Sequence, residues 1–285
     1  MRQQMVLLDI GGSYVKYGLA AGKGLGETGL FPVSEGADAE TLLRPIEAFL
    51  AAHPAQKTVV CMPGPMDYPT GTSLMKHKFV SLYGVSLKAR FEALFPGEEF
   101  LFVHDGLAFM LGEAFDGGAK GLDNAAGVML GTGLGFVLLQ DGYVLARPVM
   151  SPYKSLWNVP YRDGIAEDYV SGRALAARYR ALTGRGESVK DMAALARAGD
   201  AAAASVFTEC GAMLGDMLAR HLEGMAIEKI IIGGQISKAW DLMEAPFRQA
   251  CLLPVEVTAH PDDSALRGAY AYGVQGSGRL KVMPE

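Results

Sequence analysis

The chain has 285 residues, half of them hydrophobic and a fifth charged, with 26 Lys and Arg set against 31 Asp and Glu. That is the composition of a folded globule long enough for two domains with ample core. A formal net charge of −5 without a long basic run argues against nucleic acid as a direct partner. Apolar runs such as Lys229-Ile230-Ile231-Ile232-Gly233 are too short to span a bilayer. Met1-Arg2-Gln3-Gln4 leads straight into a strand and leaves no room for a signal peptide, so a cytoplasmic location without a membrane partner is expected. Cys61, Cys210 and Cys251 lie far apart and form neither a disulfide framework nor a C-x-x-C pair, so each reads as a small buried hydrophobe and no zinc is expected.

In chain order, residues 5–20 predict a β-hairpin, and the stretch Gly22 to Gly29 a turn into a third strand near 30–33. Leu42, Leu43, Ile46, Phe49 and Leu50 have helical spacing within 39–53. The continuous apolar run 58–62 predicts a strand covered on both faces. Residues 66–84 read as a long irregular loop, and loops of that length in a compact domain are usually functional or mobile. A helix over 86–95 and a strand over 100–103 follow, then His104-Asp105-Gly106 and a helix to about 115. The second half opens on another hairpin, 127–139. Beyond an irregular polar-aromatic stretch at 150–164, helices are predicted at 165–182, 188–197 and 201–225. A strand at 229–232, a helix near 237–250, a strand at 255–258 and a helix from Ser264 to about Tyr272 complete the chain. Strands alternating with helices in both halves predict an α/β domain on each side, 1–115 and 116–263. The first would be completed by the C-terminal segment 264–285, and the second would carry a helical insertion. A cleft between them is the expected site.

The two hairpins carry the chemistry. Asp9-Ile10-Gly11-Gly12-Ser13-Tyr14-Val15-Lys16 and Leu130-Gly131-Thr132-Gly133-Leu134-Gly135 each set glycines and a small hydroxyl residue in a turn between apolar runs. Such turns let backbone N–H groups approach phosphate oxygens closely. One alone reads as an ordinary tight hairpin; two point to half-sites for a single polyphosphate. A carboxylate at the end of an apolar strand is costly to bury without a cation or donors, which makes Asp9 a candidate for Mg²⁺ held through water. Asp105, at a strand end and a helix start, reads as a helix cap or as the base that takes the proton of an attacking hydroxyl. Gly233-Gly234 ends a strand and would let a nucleotide lie against bare backbone, or simply make a tight turn.

In their order and spacing these segments resemble the ROK sugar kinases, within the actin-like ATPase superfamily that also holds hexokinases. Met62-Pro63-Gly64-Pro65-Met66-Asp67 resembles that family's linking motif, His104-Asp105-Gly106-Leu107-Ala108 its catalytic segment, and Ile232-Gly233-Gly234-Gln235-Ile236-Ser237 its adenosine motif. The resemblance implies a two-domain actin-like (ribonuclease H-like) fold and ATP-dependent phosphorylation of a hexose or hexose derivative with Mg²⁺. It implies Asp105 as general base and Asp9 near the metal. Gly11, Gly12, Ser13, Lys16, Gly131, Thr132 and Gly133 would lie on phosphates, and Gly233 and Gly234 on adenosine. Gly64, His104 and Glu167 would lie on the sugar side. The chain departs from the family in lacking its zinc-binding Cys-x-Cys loop and the associated histidine, with Ser155 to Gly164 in their place. His104 stands where the family has Asn, and the substrate loop offers Lys76, His77, Lys78 and Phe79 in place of an expected Asn. Glu167 reads equally as an exposed acid in the first turn of a helix. Lys76, Lys78 and His104 read as a solvated loop surface or as residues favouring an acidic or phosphorylated substrate. A catalytically weak sugar-sensing protein on the same fold is the other alternative, and the family resemblance leaves room for a homodimer through 201–225.

Overall fold

Alternation along the first strand decides how the N-terminal sheet is covered. In the computed structural model, which describes residues 3–21 and 24–284, strands β1 (Gln3–Ile10), β2 (Tyr14–Ala21) and β3 (Gly24–Pro32) form an antiparallel meander. Helix α1 (Ala39–Ala52) leads to β4 (Ala55–Met62), which lies parallel to β1. Helix α2 (Leu87–Leu94) leads to β5 (Glu99–His104), parallel to β4, giving the order β3-β2-β1-β4-β5. Val6, Leu8 and Ile10 point to one face with Val60, Met62, Phe100 and Phe102, where Leu42, Leu43, Ile46 and Leu50 of α1 and Phe91 of α2 complete a buried core. Met5, Leu7 and Asp9 point to the other face. Side-chain caps fix the helix starts: Asp38 accepts from Thr41 N (3.0 Å) and Ser86 from Ala89 N (3.1 Å).

Helix α3 (Asp105–Asp116) follows β5 without a break. The chain then forms the hairpin β6 (Ala125–Leu130) and β7 (Leu134–Gln140). Helices α4 (Gly172–Thr183), α5 (Val189–Arg197) and α6 (Ala201–His221) precede β8 (Lys229–Gly233), which pairs in parallel with β6. Helix α7 (Glu244–Ala250) and β9 (Val255–Val257), parallel to β8, follow. Helix α8 (Ser264–Gln275) closes the sequence of helices. The chain divides into two compact units: the described parts of 1–120, 143–153 and 263–285, and 121–142 with 154–262. Among the described residues no helix is long and apolar enough to cross a membrane.

Several elements differ from the sequence expectation for physical reasons. The third strand begins at Gly24, not near 30, because pairing with β2 overrides the low strand propensity of Gly24, Gly26 and Gly29; Gly22 and Lys23 lie outside the described residues. The helix expected over 165–182 is two helices, Glu167–Val170 and α4, broken where Ser171 turns extended and its hydroxyl accepts from Ala174 N (3.3 Å). Residues 66–84 contain a two-residue ladder, Met66–Asp67 with Thr72–Ser73, and one 3₁₀ turn, Val80–Leu82. A 3₁₀ stretch, Gln235–Leu242, precedes α7 where one helix was expected. Short strands Tyr143–Ala146 and Leu280–Val282 pair in parallel, a non-local match without a periodic signal in either segment.

In the first unit, α8 packs on α3 and on the β1 and β4 face that carries Met5, with Lys57 Nζ donating to Gly273 O (3.0 Å). The α3–α8 crossing is glycine-built: a Cβ on Gly112 would lie 2.9 Å from Gly268 N, and one on Gly268 would overlap the Ala108 carbonyl. Both backbones are rigid there, so the contact has no flexible side chain to yield. Gly268→Ala should therefore destabilise the protein by ~3 kcal/mol, the upper end of overpacking costs. Urea unfolding checks this, and an unchanged midpoint would show that the two helices separate without cost.

Candidate active site

Three parallel strands of the first unit end side by side. Register pairs Asp9 of β1 with Cys61 of β4, and Cys61 with Val103 of β5, next to His104 and Asp105. Ligands of α/β sheets gather at such carboxyl ends. Asp9 also stands opposite Lys16 on β2. Because Asp9 shares the odd-numbered face of β1 with Met5 and Leu7, its carboxylate turns toward the face that bears Cys61. The Cys61 thiol is buried there and donates to Ala265 O at 3.6 Å.

Asp9 and Asp105 are pushed in opposite directions. Burial among the strand ends, then the Asp105 charge, push the Asp9 carboxyl up to about 6, and Lys16 offsets only part of this. For Asp105 the largest single effect is also burial, which pushes up. The His104 charge and hydrogen bond, the Gly106 N–H and the Lys78 charge together outweigh it and hold this carboxyl below the usual range. Its side chain keeps 42% of its surface open to solvent. Gly106 N–H donates to Asp105 Oδ1 (2.7 Å) and to His104 Nδ1 (2.9 Å). His104 Nδ1 also lies 2.9 Å from Asp105 Oδ1. Asp105 lies in the first turn of α3, and the capping position falls to His104. The His104 ring stands edge-on to Tyr68, whose hydroxyl donates to Met62 O (2.9 Å). Gly64 borders the same ring, since a Cβ there would lie 3.4 Å from His104 Cδ2.

The first glycine turn is held by Gly11 N donating to Tyr14 O (3.0 Å) and by Val33 N and Glu35 N donating to Ser13 O (3.0 Å) and Gly12 O (2.9 Å). Among the described residues the N–H groups of Gly12 and Ser13 and the exposed Ser13 hydroxyl have no protein acceptor. A Cβ on Gly12 would lie 2.5 Å from Glu35 Oε2, so this acid rests against the turn.

The second unit builds a matching turn. Gly131 N donates to Gly133 O (3.1 Å), while the N–H groups of Thr132 and Gly133 have no acceptor among the described residues and Thr132 is exposed. Here too an acid rests on the turn: Glu167 Oε2 accepts from Leu134 N (2.9 Å) and would lie 2.6 Å from a Gly133 Cβ. Its other oxygen accepts from Arg173 (2.6 Å). Gly172 N at the start of α4 donates to Gly131 O (2.8 Å), and a Cβ there would meet that carbonyl at 3.0 Å. Gly233 ends β8, and Gly234 (φ +81°) bends against the Leu130 carbonyl, its own carbonyl accepting from Ser237 Oγ (2.7 Å). The sequence reading passed over Glu35, Tyr68 and Arg173, while Cys61 is the buried small residue it expected. Among the described residues no three His, Cys, Asp or Glu side chains converge to hold a metal.

The raised Asp9 carboxyl has a stability consequence with a definite sign. An acid whose folded value, about 6, exceeds its ordinary 3.8 is a cost to the fold that is absent below pH 4, grows between pH 4 and 6, and is complete above. Asp9→Asn should accordingly stabilise the protein by ~1–3 kcal/mol at pH 7.5 and by nothing at pH 4. Thermal melts of both proteins across pH 4–8 check this; a gain that does not vary with pH would contradict it.

The sequence profile of the ROK family matches residues 5–146 and 161–271. A glucokinase of Thermotoga maritima is 25% identical over 304 aligned positions, spanning 93% of this chain and 96% of the relative. Among solved structures, a ROK glucokinase from Streptomyces griseus in complex with glucose and AMPPNP is similar with a TM-score of 0.79 and 23% identity, over 95% of this chain and 99% of that one. The ROK hexokinase of Thermus thermophilus is similar with a TM-score of 0.76 and 20% identity, over 95% and 99%. The profile passes over residues 147–160, which include most of the segment that replaces the zinc loop. This chain belongs to the ROK family and has its α/β, actin-like ATPase fold.

Proposed function

We propose that the protein is an ATP-dependent sugar kinase that transfers the γ-phosphoryl group to a hydroxyl of a hexose or hexose derivative. The observation that carries this reading is the Asp105 carboxylate: held ionised at a strand end, oriented by Gly106 N–H, and open to solvent on one side. The glucokinase relative supports the donor and the substrate class.

Asp105 accepts a hydrogen bond from the acceptor hydroxyl and aligns its oxygen with the γ-phosphorus. As the new O–P bond forms and the bond to ADP breaks, the hydroxyl proton passes to Asp105. A carboxylate below the usual range is a weak base, which suits a loose transition state in which the proton moves late. The unbonded N–H groups of Gly12, Ser13, Thr132 and Gly133 donate to phosphate oxygens, with Lys16 as the countercharge in the first unit. Gly131 shapes the second turn. Gly233 and Gly234 leave backbone open to the adenosine. Gly64 and His104 border the acceptor. Glu167 supports the second turn through Leu134 N, and the family resemblance gives it a sugar-binding role. Asp9 fits Mg²⁺, which keeps most of its waters and needs one or two carboxylates besides phosphate. A cation would also relieve the repulsion from Asp105 that Asp9 now bears. When bound, Mg²⁺ neutralises charge on the β- and γ-phosphates.

Asp105→Asn should lower sugar-dependent ADP release by ~10²–10⁴-fold while leaving the rise in melting temperature on adding Mg-ATP. Turnover that survives the substitution would remove Asp105 from the base role.

A further inference from the structure

Each glycine turn has a glutamate against it, and the two acids differ in what holds them. Glu167 is bonded through both oxygens, accepting from Leu134 N (2.9 Å) and from Arg173 (2.6 Å). The Glu35 carboxylate lies in contact with the first turn, its Oε2 2.5 Å and its Cδ 2.9 Å from where a Gly12 Cβ would stand. Among the described residues this carboxylate makes no hydrogen bond or ion pair. Neither the Gly12 nor the Ser13 N–H donates to it, although both lack an acceptor.

The backbone that carries Glu35 has little freedom to withdraw. Val33 N donates to Ser13 O (3.0 Å) and Glu35 N to Gly12 O (2.9 Å), which ties the segment to the turn. Beyond Glu35, Ala37 N donates to Ser34 O (3.1 Å) and the Ser81 hydroxyl to Ala37 O (2.8 Å). Val33 and Ala37 both pack against the buried core. The carboxylate therefore stays within a side chain's length of the turn whichever rotamer it takes. It does not hold the turn together, because the bonds that shape the turn run from backbone to backbone.

Free amides and a hydroxyl in a glycine turn attract phosphate. A fixed negative charge in contact with the same turn repels it, and like charges a few ångströms apart change binding several-fold even near solvent. A bare triphosphate meets that repulsion in full. Mg²⁺ on the β- and γ-phosphates cancels much of it, and a water on the metal can donate to the carboxylate. We propose that Glu35 is a donor-specificity residue: its carboxylate disfavours uncomplexed polyphosphate at the first turn, so that nucleotide is admitted together with its divalent cation. This rests on the kinase reading above and adds to it a selection among donor species.

The test is calorimetric titration with ATP, without sugar, once in Mg²⁺ and once in EDTA. Wild type and Glu35→Gln are compared with Glu92→Gln, an exposed acid on α2 that controls for net charge, after melting temperatures show all three folded. The wild type should bind ATP more weakly in EDTA than in Mg²⁺. Glu35→Gln should tighten binding about fivefold in EDTA and less than about twofold in Mg²⁺, so that the ratio of the two dissociation constants falls. Glu92→Gln should keep the wild-type ratio. An unchanged ratio in Glu35→Gln, or an equal change in both arms, would overturn the proposal and leave the kinase reading standing. A ratio that falls because Mg-ATP binds more weakly would overturn it too, by making Glu35 a partner of the metal. If the wild type binds ATP in neither arm, the kinase reading itself falls, and the role of Glu35 with it.

Discussion

Two carboxylates at neighbouring strand ends constrain everything around them. Asp9 and Asp105 sit on a parallel sheet whose register brings β1, β4 and β5 to a common edge, and neither can be ionised without cost to the other. The fold resolves this unequally. Asp105 receives an N–H, an imidazole and a nearby ammonium, and stays ionised; Asp9 has Lys16 opposite it and is pushed up to about 6. Such a division of two acids by environment is a familiar way to give each a different task. The acid kept ionised is the one proposed as base, and the acid kept under strain is the one a cation would relieve most.

A second regularity runs through both units. Among the described residues each glycine turn leaves two N–H groups and a hydroxyl without a partner in the protein, and each has a glutamate against it, Glu35 on Gly12 and Glu167 on Gly133. Negative charge beside a group of amide donors compensates their partial charge. The two acids are not equivalent. Glu167 has backbone and Arg173 as partners, so its position is fixed by the second turn, whereas Glu35 is linked to the first turn through its backbone N–H. The first turn is in this respect the more adjustable of the two.

The features most legible in the sequence were those with local causes. Helix α1 follows from apolar spacing and both hairpins from glycine turns between apolar runs, while the caps Asp38 and Ser86 emerge only in the structure. Glu167 shows the limit. Its position in a first helical turn could be read, but its bonds to Leu134 N and Arg173 depend on Ser171 breaking the helix and on Gly172 docking against Gly131. Glu35 and Tyr68 carried no signal, because each acts through partners in other segments. The pairing of Tyr143–Ala146 with Leu280–Val282 was invisible for the same reason.

The departures from the family pattern are where the structure adds most. Replacing Asn by His at 104 leaves the helix cap intact, since Nδ1 accepts from Gly106 N as a side-chain oxygen would. The change therefore alters only the far side of the residue. Lys78 follows the same logic: its flanking residues Met75 and Phe79 fix the loop regardless of what position 78 bears. In both places neighbouring groups meet the scaffold's requirements. That separation lets the side chain at such a position change without disturbing the backbone that carries Asp105.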